Sequence, residues 1–246
     1  MQVKAIILGA DKGITTTDET PKIFKAICGI PIINVLIKTI ENSGISDIYL
    51  VVNPQHKKKV TELISHTVFS QPAPLGTAHA ALMARQALTP FNGCVMILFG
   101  DTPLITDTTI KRMIDKQASG SDVVALGFIP ADSRRYGRLI MGDNGLEKIV
   151  EYKDANDMER TIRLCNSGVM CINGQYVLQL LEKVKNDNAS GKYYITDIVK
   201  IAKDMGLKTD FVMGSAEELH GINSPEELEA AEELFIQYQT RNKNDY

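Results

Sequence analysis

The sequence predicts an α/β protein built on a doubly wound, mixed but mainly parallel sheet, with an antiparallel element inserted late in the chain. Three observations predict it. Short, nearly continuous apolar runs at residues 3–8, 48–52, 94–99 and 122–128 each end at a turn, as strands buried on both faces of a parallel sheet do. Between them lie segments whose apolar residues recur every three or four positions, the period of crossover helices. After Arg138 the rhythm changes to paired extended runs around Asp143-Asn144-Gly145, and Asn-Gly between such runs favours a tight antiparallel hairpin.

Taken in order, residues 3–8 (VKAIIL) form a strand that stops at Gly9. Residues 31–43 form a helix with Ile33, Leu36, Ile37 and Ile40 on one face, Pro31 in its first turn and Gly44 at its end, where each residue's backbone preference suits it. A strand follows at 48–52, then helices at 56–64 and 77–88, and a central strand at 94–99 that runs into Gly100-Asp101. A helix at 106–117 and a strand at 122–128 complete the parallel rhythm. The hairpin pairs 139–141 with 146–152, and helices at 175–184 and 195–205 and a strand at 209–213 follow. The last helix starts at Pro225 behind Ser224, with Glu227 completing a capping box, and aligns Leu228, Ala231, Leu234 or Phe235, and Tyr238. These elements predict one domain over residues 1–224, with the C-terminal helix and a frayed polar tail over 225–246.

The 246 residues are 44% hydrophobic and 23% charged, so the chain can bury a full core and is neither disordered nor a small disulfide-stapled scaffold. A formal net charge of −3 provides no cationic field for a nucleic acid, and any phosphate site must be local. Cys28, Cys94, Cys165 and Cys171 form no C-x-x-C pair, which argues against a zinc ribbon and for a reducing, cytoplasmic setting. The N-terminal apolar run is too short for a signal-peptide core, and no stretch approaches the roughly 18 apolar residues of a membrane span.

Four segments carry chemistry. The connection after the first strand, Leu8-Gly9-Ala10-Asp11-Lys12-Gly13 through to Pro21-Lys22, lies where open α/β sheets bind ligands, and its small residues let backbone N–H groups approach phosphates. It also reads as a plain structural turn. Asp101, at the end of a buried strand, faces the ligand crevice and offers the hard oxygen that Mg²⁺ requires; an Asp there could also cap the next helix, although Thr106 and Asp107 already supply that cap. In Gln71-Pro72-Ala73-Pro74-Leu75-Gly76-Thr77-Ala78-His79, prolines stiffen a loop whose Gln offers both a donor and an acceptor to a pyrimidine edge. Thr77 also suits a helix N-cap, and His79 a packed or hydrogen-bonded histidine. Tyr136-Gly137-Arg138, Glu151 to Asp154, Asn166-Ser167-Gly168 and Tyr193 to Asp197 place polar residues and an aromatic wall at the ends of extended runs, the composition of a sugar pocket.

In this order the segments resemble the sugar-nucleotidyltransferase superfamily, and within it the N-acetylglucosamine-1-phosphate uridylyltransferase domain of the bifunctional bacterial enzyme that makes UDP-N-acetylglucosamine, a cell-wall precursor. The likeness runs from Val3 to the final helix. It rests on LGT at 75–77, GD-x-PL at 100–104, YGR at 136–138, VE-x-KDA at 150–155, N-[ST]-G at 166–168, YYITD at 193–197 and G-[VI]-N at 221–223. The resemblance implies a Rossmann-like fold of the nucleotide-diphospho-sugar transferase type, with UTP and a sugar 1-phosphate as small-molecule substrates. It implies Mg²⁺ on Asp101 and Asn223, a catalytic Lys22 on phosphate, and a phosphate loop at Leu8, Gly9, Ala10, Lys12 and Gly13. Gln71, Gly76 and Thr77 would meet uracil; Gly137, Glu151, Asn166, Tyr194 and Thr196 would meet the sugar. No hexapeptide repeats follow the last helix, so acetyl transfer is not implied.

Two residues depart from the family's L-x-x-G-x-G-T-R-M loop: Asp11 stands for a glycine and Thr15 for the arginine. Thr15 removes a bidentate phosphate partner, and Asp11 adds a carboxylate where backbone should wrap phosphate. Lys192, where the family has an acid, adds a cation that the resemblance puts on the sugar side. Three functional readings therefore stand at this stage: a uridylyltransferase, a diverged module that binds a sugar phosphate or nucleotide-sugar without turnover, and a transferase for another base or acceptor. Restoring the loop with Asp11→Gly and Thr15→Arg together is expected to raise turnover of UTP, as measured by pyrophosphate release. No gain would mean that another cation, such as Lys12, has taken the arginine's role.

Overall fold

A computed structural model of the chain describes residues 1–10 and 21–244, with side chains described up to 240. In chain order the elements begin with β1 (Gln2–Gly9), a 3₁₀ turn (Lys22–Phe24), β2 (Ala26–Ile27), β3 (Ile30–Pro31), α1 (Ile32–Asn42), β4 (Asp47–Val52), α2 (Lys57–Leu63), β5 (Thr67–Ser70), α3 (Thr77–Met83), β6 (Gly93–Phe99), α4 (Asp107–Ala118) and β7 (Val123–Phe128). The hairpin β8 (Arg138–Gly142) and β9 (Gly145–Val150) follows. Then come α5 (Asp157–Thr161), β10 (Cys165–Asn173), α6 (Val177–Lys183), α7 (Asp197–Asp204), β11 (Thr209–Met213) and α8 (Pro225–Asn244).

The main sheet runs β11-β7-β10-β6-β1-β4-β5, with the β8–β9 hairpin joined at β10. Its pairs are parallel except where β10 runs antiparallel between β6 and β7. The apolar runs are continuous because both faces are covered. Ala5 and Ile7 of β1 and Met96 and Leu98 of β6 point into the cluster shared with α1 and α4. Ile6 and Leu8, with Val95 and Ile97, point into the one shared with α3, α6 and α7. Each such Ile, Leu, Val or Met side chain stabilises the fold by about 1.5–3 kcal/mol through burial.

Most predicted elements appear within a residue or two of their expected ends. The helix expected at 77–88 instead stops at Met83, and Ala84 tightens into a 3₁₀ turn, Arg85–Leu88, that buries Ala87 and Leu88. The short strand β5, the small helix α5 and the central strand β10 lie outside the predicted pattern. β10 opens with polar Asn166-Ser167-Gly168 and shifts register between Asn166 and Met170, so its beginning lacks the apolar signature of a strand. Because β10 is antiparallel to β6 and β7, its beginning lies at the edge where those strands end, with Cys165 opposite Phe128 and Asn166 opposite Gly127.

α8 packs Ala231, Leu228, Leu234, Phe235 and Tyr238 over Ile27, Ile32, Leu104 and Ile222, on the face its periodicity predicts. Half of its capping box forms: Glu227 N–H donates to Ser224 Oγ at 3.2 Å. The Glu227 carboxylate reaches past the cap to the Asn223 N–H at 2.6 Å.

Glu218, 4% exposed, ties the segment before α8 to the start of α4. It accepts from Thr106 N–H (3.2 Å), Thr106 Oγ1 (2.8 Å), Thr109 Oγ1 (3.0 Å) and Ser215 N–H (2.8 Å). Removing the acceptor strands four donors, so Glu218→Ala should lower the free energy of urea unfolding by about 3 kcal/mol, with Glu218→Gln losing less. A loss below about 1 kcal/mol for the alanine variant would show that water replaces the carboxylate at little cost.

Candidate functional site

Parallel strands deliver their last residues to one edge, and the site is assembled there. Gly100 N–H donates to Leu8 O at 2.9 Å, extending the β1–β6 ladder one residue beyond β6 and holding Asp101 beside the end of β1. Leu8, Gly9, Lys22, Ile23, Gly100 and Asp101 line one small cleft. Ala10 lines an adjoining cavity that also holds Gln71. Asp11, Lys12, Gly13 and Thr15 lie outside the described residues.

Lys22 ties three distant parts of the chain together. Its Nζ donates to Asp101 Oδ2 at 3.1 Å and to Asn223 Oδ1 at 2.7 Å. The loop that brings Asn223 is held by Ile222 N–H on Asp101 O at 2.8 Å. Asn223 Nδ2 donates to Gly221 O at 3.1 Å, which leaves Oδ1 as the amide atom facing Lys22. A carboxylate oxygen and an amide oxygen thus converge on one positive charge, and the ammonium stands in for a cation. Among the described residues no three His, Cys, Asp or Glu side chains converge elsewhere. A sparse set of hard oxygens suits Mg²⁺, which takes few protein ligands and completes its shell with phosphates and water.

Gln71 follows β5, and its N–H donates to Val52 O at 2.8 Å. Its side chain is buried, and Nε2 donates to Gly76 O at 3.0 Å and to His79 Nδ1 at 3.0 Å. A carbonyl can only accept, so the amide orientation is fixed and His79 must present an unprotonated Nδ1. His79 is thus the hydrogen-bonded histidine that its position in an alanine-rich helix suggests. Gly76 has φ +127°, and a Cβ there would lie 2.4 Å from Tyr193 O, so only glycine permits this approach. Tyr193 N–H donates to Leu75 O at 2.9 Å and Ala78 N–H to Tyr193 O at 3.0 Å. Thr77 is not the N-cap; Gly76 holds that position, and the Thr77 hydroxyl accepts Ile195 N–H at 2.9 Å. This pairing draws Lys192 into the cavity of about 240 Å³ lined by Leu8, Ala10, Gln71, Gly76 and Thr77. Lys192 therefore lines the cavity of Gln71 and not the one lined by Glu151 and Asn166, the residues expected to meet a sugar.

The five residues expected to meet a sugar, Gly137, Glu151, Asn166, Tyr194 and Thr196, line one adjoining cavity of about 420 Å³ together with Lys22, Asp101 and Asn223. Thr77, Phe99 and Tyr194 border both cavities. Thr196 Oγ1 donates to Glu151 Oε1 at 2.9 Å. Burial pushes the Glu151 carboxyl up despite that bond, with Asp154 and Asp197 adding to the rise. Asn166 donates its N–H to Gly137 O at 2.8 Å, yet its buried Oδ1 has no partner among the described residues. Arg138, 1% exposed, holds the wall by donating to Ser133 O (2.7 Å), Tyr136 O (2.5 Å) and Arg160 O (3.3 Å). Ser167, part of the anticipated Asn166-Ser167-Gly168 segment, also lines this cavity, as does Arg135, which was not anticipated; a surface-loop arginine carries no distinguishing pattern in one sequence. A larger groove of about 690 Å³ between α1, α4 and α8 holds none of the anticipated residues.

A cleft at the carboxyl ends of a doubly wound sheet, pairing a cation-gripping carboxylate with a polar pocket, defines a nucleotide-handling α/β enzyme. The chain belongs to the nucleotidyl transferase family, whose pattern it matches over residues 4–217. It is 45% identical to the bifunctional protein GlmU of Rhodospirillum rubrum over 97% of its own length, and 41% identical to that of Roseobacter denitrificans over 96%. To GlmU of Bartonella quintana it is 40% identical over 97%. It covers 54%, 53% and 54% of these three proteins, so the chain spans about half the length of the curated relatives it matches. Among the described residues no helix is long and apolar enough to cross a membrane.

Asp197, in the first turn of α7, is pushed up from its ordinary 3.8 to about 6 by burial first and by Asp154 second. Across that interval the folded chain keeps a proton that the unfolded chain has released, so stability falls as pH rises from about 4 to about 6 and then levels. Asp197→Asn removes this term and should gain on the native protein across the window in urea unfolding at pH 4.5 and pH 7. Parallel pH profiles for the two proteins would refute the assignment.

Proposed function

We propose that the chain transfers a uridylyl group from UTP to N-acetylglucosamine 1-phosphate, giving UDP-N-acetylglucosamine and pyrophosphate. The observation that carries this reading is Lys22 bridging Asp101 and Asn223 at the mouth of two joined cavities. In this reading the cavity of Gln71 takes the base and the cavity of Glu151 and Asn166 takes the sugar. An oxygen of the sugar phosphate attacks the α-phosphorus of UTP in line; a P–O bond forms as the bond to the β-phosphate bridging oxygen breaks, and pyrophosphate leaves.

The residues' part is positioning and charge. Gln71, with both amide hydrogens engaged within the chain, offers Oε1 to the N3–H of uracil, beside Gly76 and Thr77. Glu151, Asn166 and Thr196 meet sugar hydroxyl and amide groups, the unpartnered Asn166 Oδ1 being an acceptor that a ligand donor would satisfy. Gly137 keeps that wall close, and Tyr194 forms its aromatic side. Leu8, Gly9, Ala10, Lys12 and Gly13 are the phosphate loop of this reading. Asp101 and Asn223 would hold Mg²⁺, which supplies neutralisation of phosphate charge when bound. Lys22, released from those two oxygens, then turns its ammonium to phosphate. Four free cysteines suit a reducing cytoplasm.

Pyrophosphate release with UTP, N-acetylglucosamine 1-phosphate and Mg²⁺ tests the reading, with CTP, GTP and ATP as rivals. Turnover should require UTP and fall by about 100-fold or more in kcat/KM for Asp101→Asn. A native rate no greater than the enzyme-free background would exclude catalysis of this reaction and leave the binding-module reading. A preference for CTP or GTP would overturn the assignment of Gln71 to uracil.

A further inference from the structure

Arg135 is the second cation lining the larger site cavity, and it stands where two sets of residues meet. The two residues after it, Tyr136 and Gly137, belong to the sugar wall with Glu151 and Asn166. On its other side Nη2 donates to Glu227 Oε1 at 2.5 Å, while the other oxygen of that carboxylate holds the Asn223 N–H at 2.6 Å. One α8 side chain thus fixes both the guanidinium and the backbone of the residue that faces Lys22. Tyr136, whose phenol is raised chiefly by burial, feels Arg135, Glu227 and Asp101 together. That places all four groups in one neighbourhood.

Among the described residues the guanidinium has no other hydrogen-bond partner than Glu227, so most of its five donors remain for a ligand. Lys22 is held by Asp101 and Asn223. The half-exposed guanidinium is therefore the cation best placed for an anion that enters beside the sugar wall. Its planar fork matches two phosphate oxygens. Arg134 differs: it closes its own fork on Asp132, with Nε on Oδ1 at 3.0 Å and Nη2 on Oδ2 at 2.8 Å, and does not line the cavity.

We propose that Arg135 binds the phosphate of the sugar 1-phosphate acceptor, holding it between the sugar wall and the Asp101–Asn223 pair. This rests on the reading that such an acceptor enters this cavity. A group bonded to the sugar's first carbon and directed at the α-phosphorus has to cross that interval, and Arg135 spans it.

The test is calorimetric titration of the purified chain with N-acetylglucosamine 1-phosphate and with N-acetylglucosamine, which differ in the phosphate alone. The native protein and Arg134→Ala should bind the phosphate ester about tenfold or more tighter than the free sugar. Arg135→Ala should erase most of that difference with an unchanged melting temperature, and Arg135→Lys should restore part of it. In turnover, Arg135→Ala should raise KM for the sugar phosphate about tenfold and leave KM for UTP within about threefold. Should the alanine variant fail to fold, Arg135→Gln, which keeps a donor for Glu227 and drops the charge, is read in its place. A native protein that does not discriminate the two ligands overturns the proposal. So does an Arg135 variant that keeps the difference, or an equal loss in Arg134→Ala. Absence of turnover with the affinity difference intact would sink the transferase reading and leave the phosphate site standing.

Discussion

The structure depends on three side chains from opposite ends of the chain meeting at one charge. Lys22 precedes the first crossover helix, Asp101 ends the central strand, and Asn223 lies just before the last helix, yet Asp101 Oδ2 and Asn223 Oδ1 both accept from Lys22 Nζ. Each is delivered by a different device: a 3₁₀ turn, the β1–β6 ladder, and a loop pinned by Ile222 N–H on Asp101 O. Partly burying the Asp101 carboxylate carries a desolvation cost. The ammonium relieves it while keeping the oxygens pointed at each other. The same geometry keeps both oxygens turned to one point.

Around that centre the sheet sorts polarity by position. The smaller cavity lies beyond β1 and β5, where Gln71 has spent its donors and retains an acceptor. The larger site cavity lies where β6 ends and the antiparallel β10 begins, lined by a carboxylate that burial pushes up and an amide oxygen without a partner among the described residues. A parallel β10 would have sent Asn166 to the far edge; its reversed direction is what adds Asn166, Ser167 and Gly168 to the site. Gly168, at φ +93° with the Phe99 ring within 2.7 Å of where a Cβ would stand, lets the strand turn into the cavity without displacing that ring.

Legibility from the sequence followed the strength of the local signal. Buried on both faces, β1, β4, β6 and β7 announce themselves by unbroken apolar runs, and α1, α4 and α8 by period and caps. β10 is equally buried over Val169–Ile172, but its polar entrance and register shift hide it among loop residues. The candidate site residues were nameable from the sequence because several short motifs occur in one order. Their partners were not. Glu227 reads as half of a capping box, and only the folded chain turns its carboxylate to Arg135 and Asn223. Lys192 reads as a neighbour of Tyr194 and Thr196, and only the backbone pairing of Tyr193 with Leu75 and Ala78 carries it to the cavity of Gln71.

Arg138 shows how the cavity wall is held without a counter-charge. It is buried, its bonds go to backbone carbonyls and to the neutral Ser133 Oγ and Cys165 Sγ, and its guanidinium lies 5.4 Å from the centre of the Tyr152 ring. An acidic partner there would have bound it more strongly, but would also have added a carboxylate beside Glu151. Carbonyl dipoles and an aromatic face neutralise it partially and fix the Ser133–Tyr136 backbone at the same time. That backbone carries Arg135, so the orientation of the exposed guanidinium follows from the burial of the second one. The wall's cations thus divide the work: one is enclosed to hold the loop's shape, and its neighbour three residues earlier is left open toward the cavity.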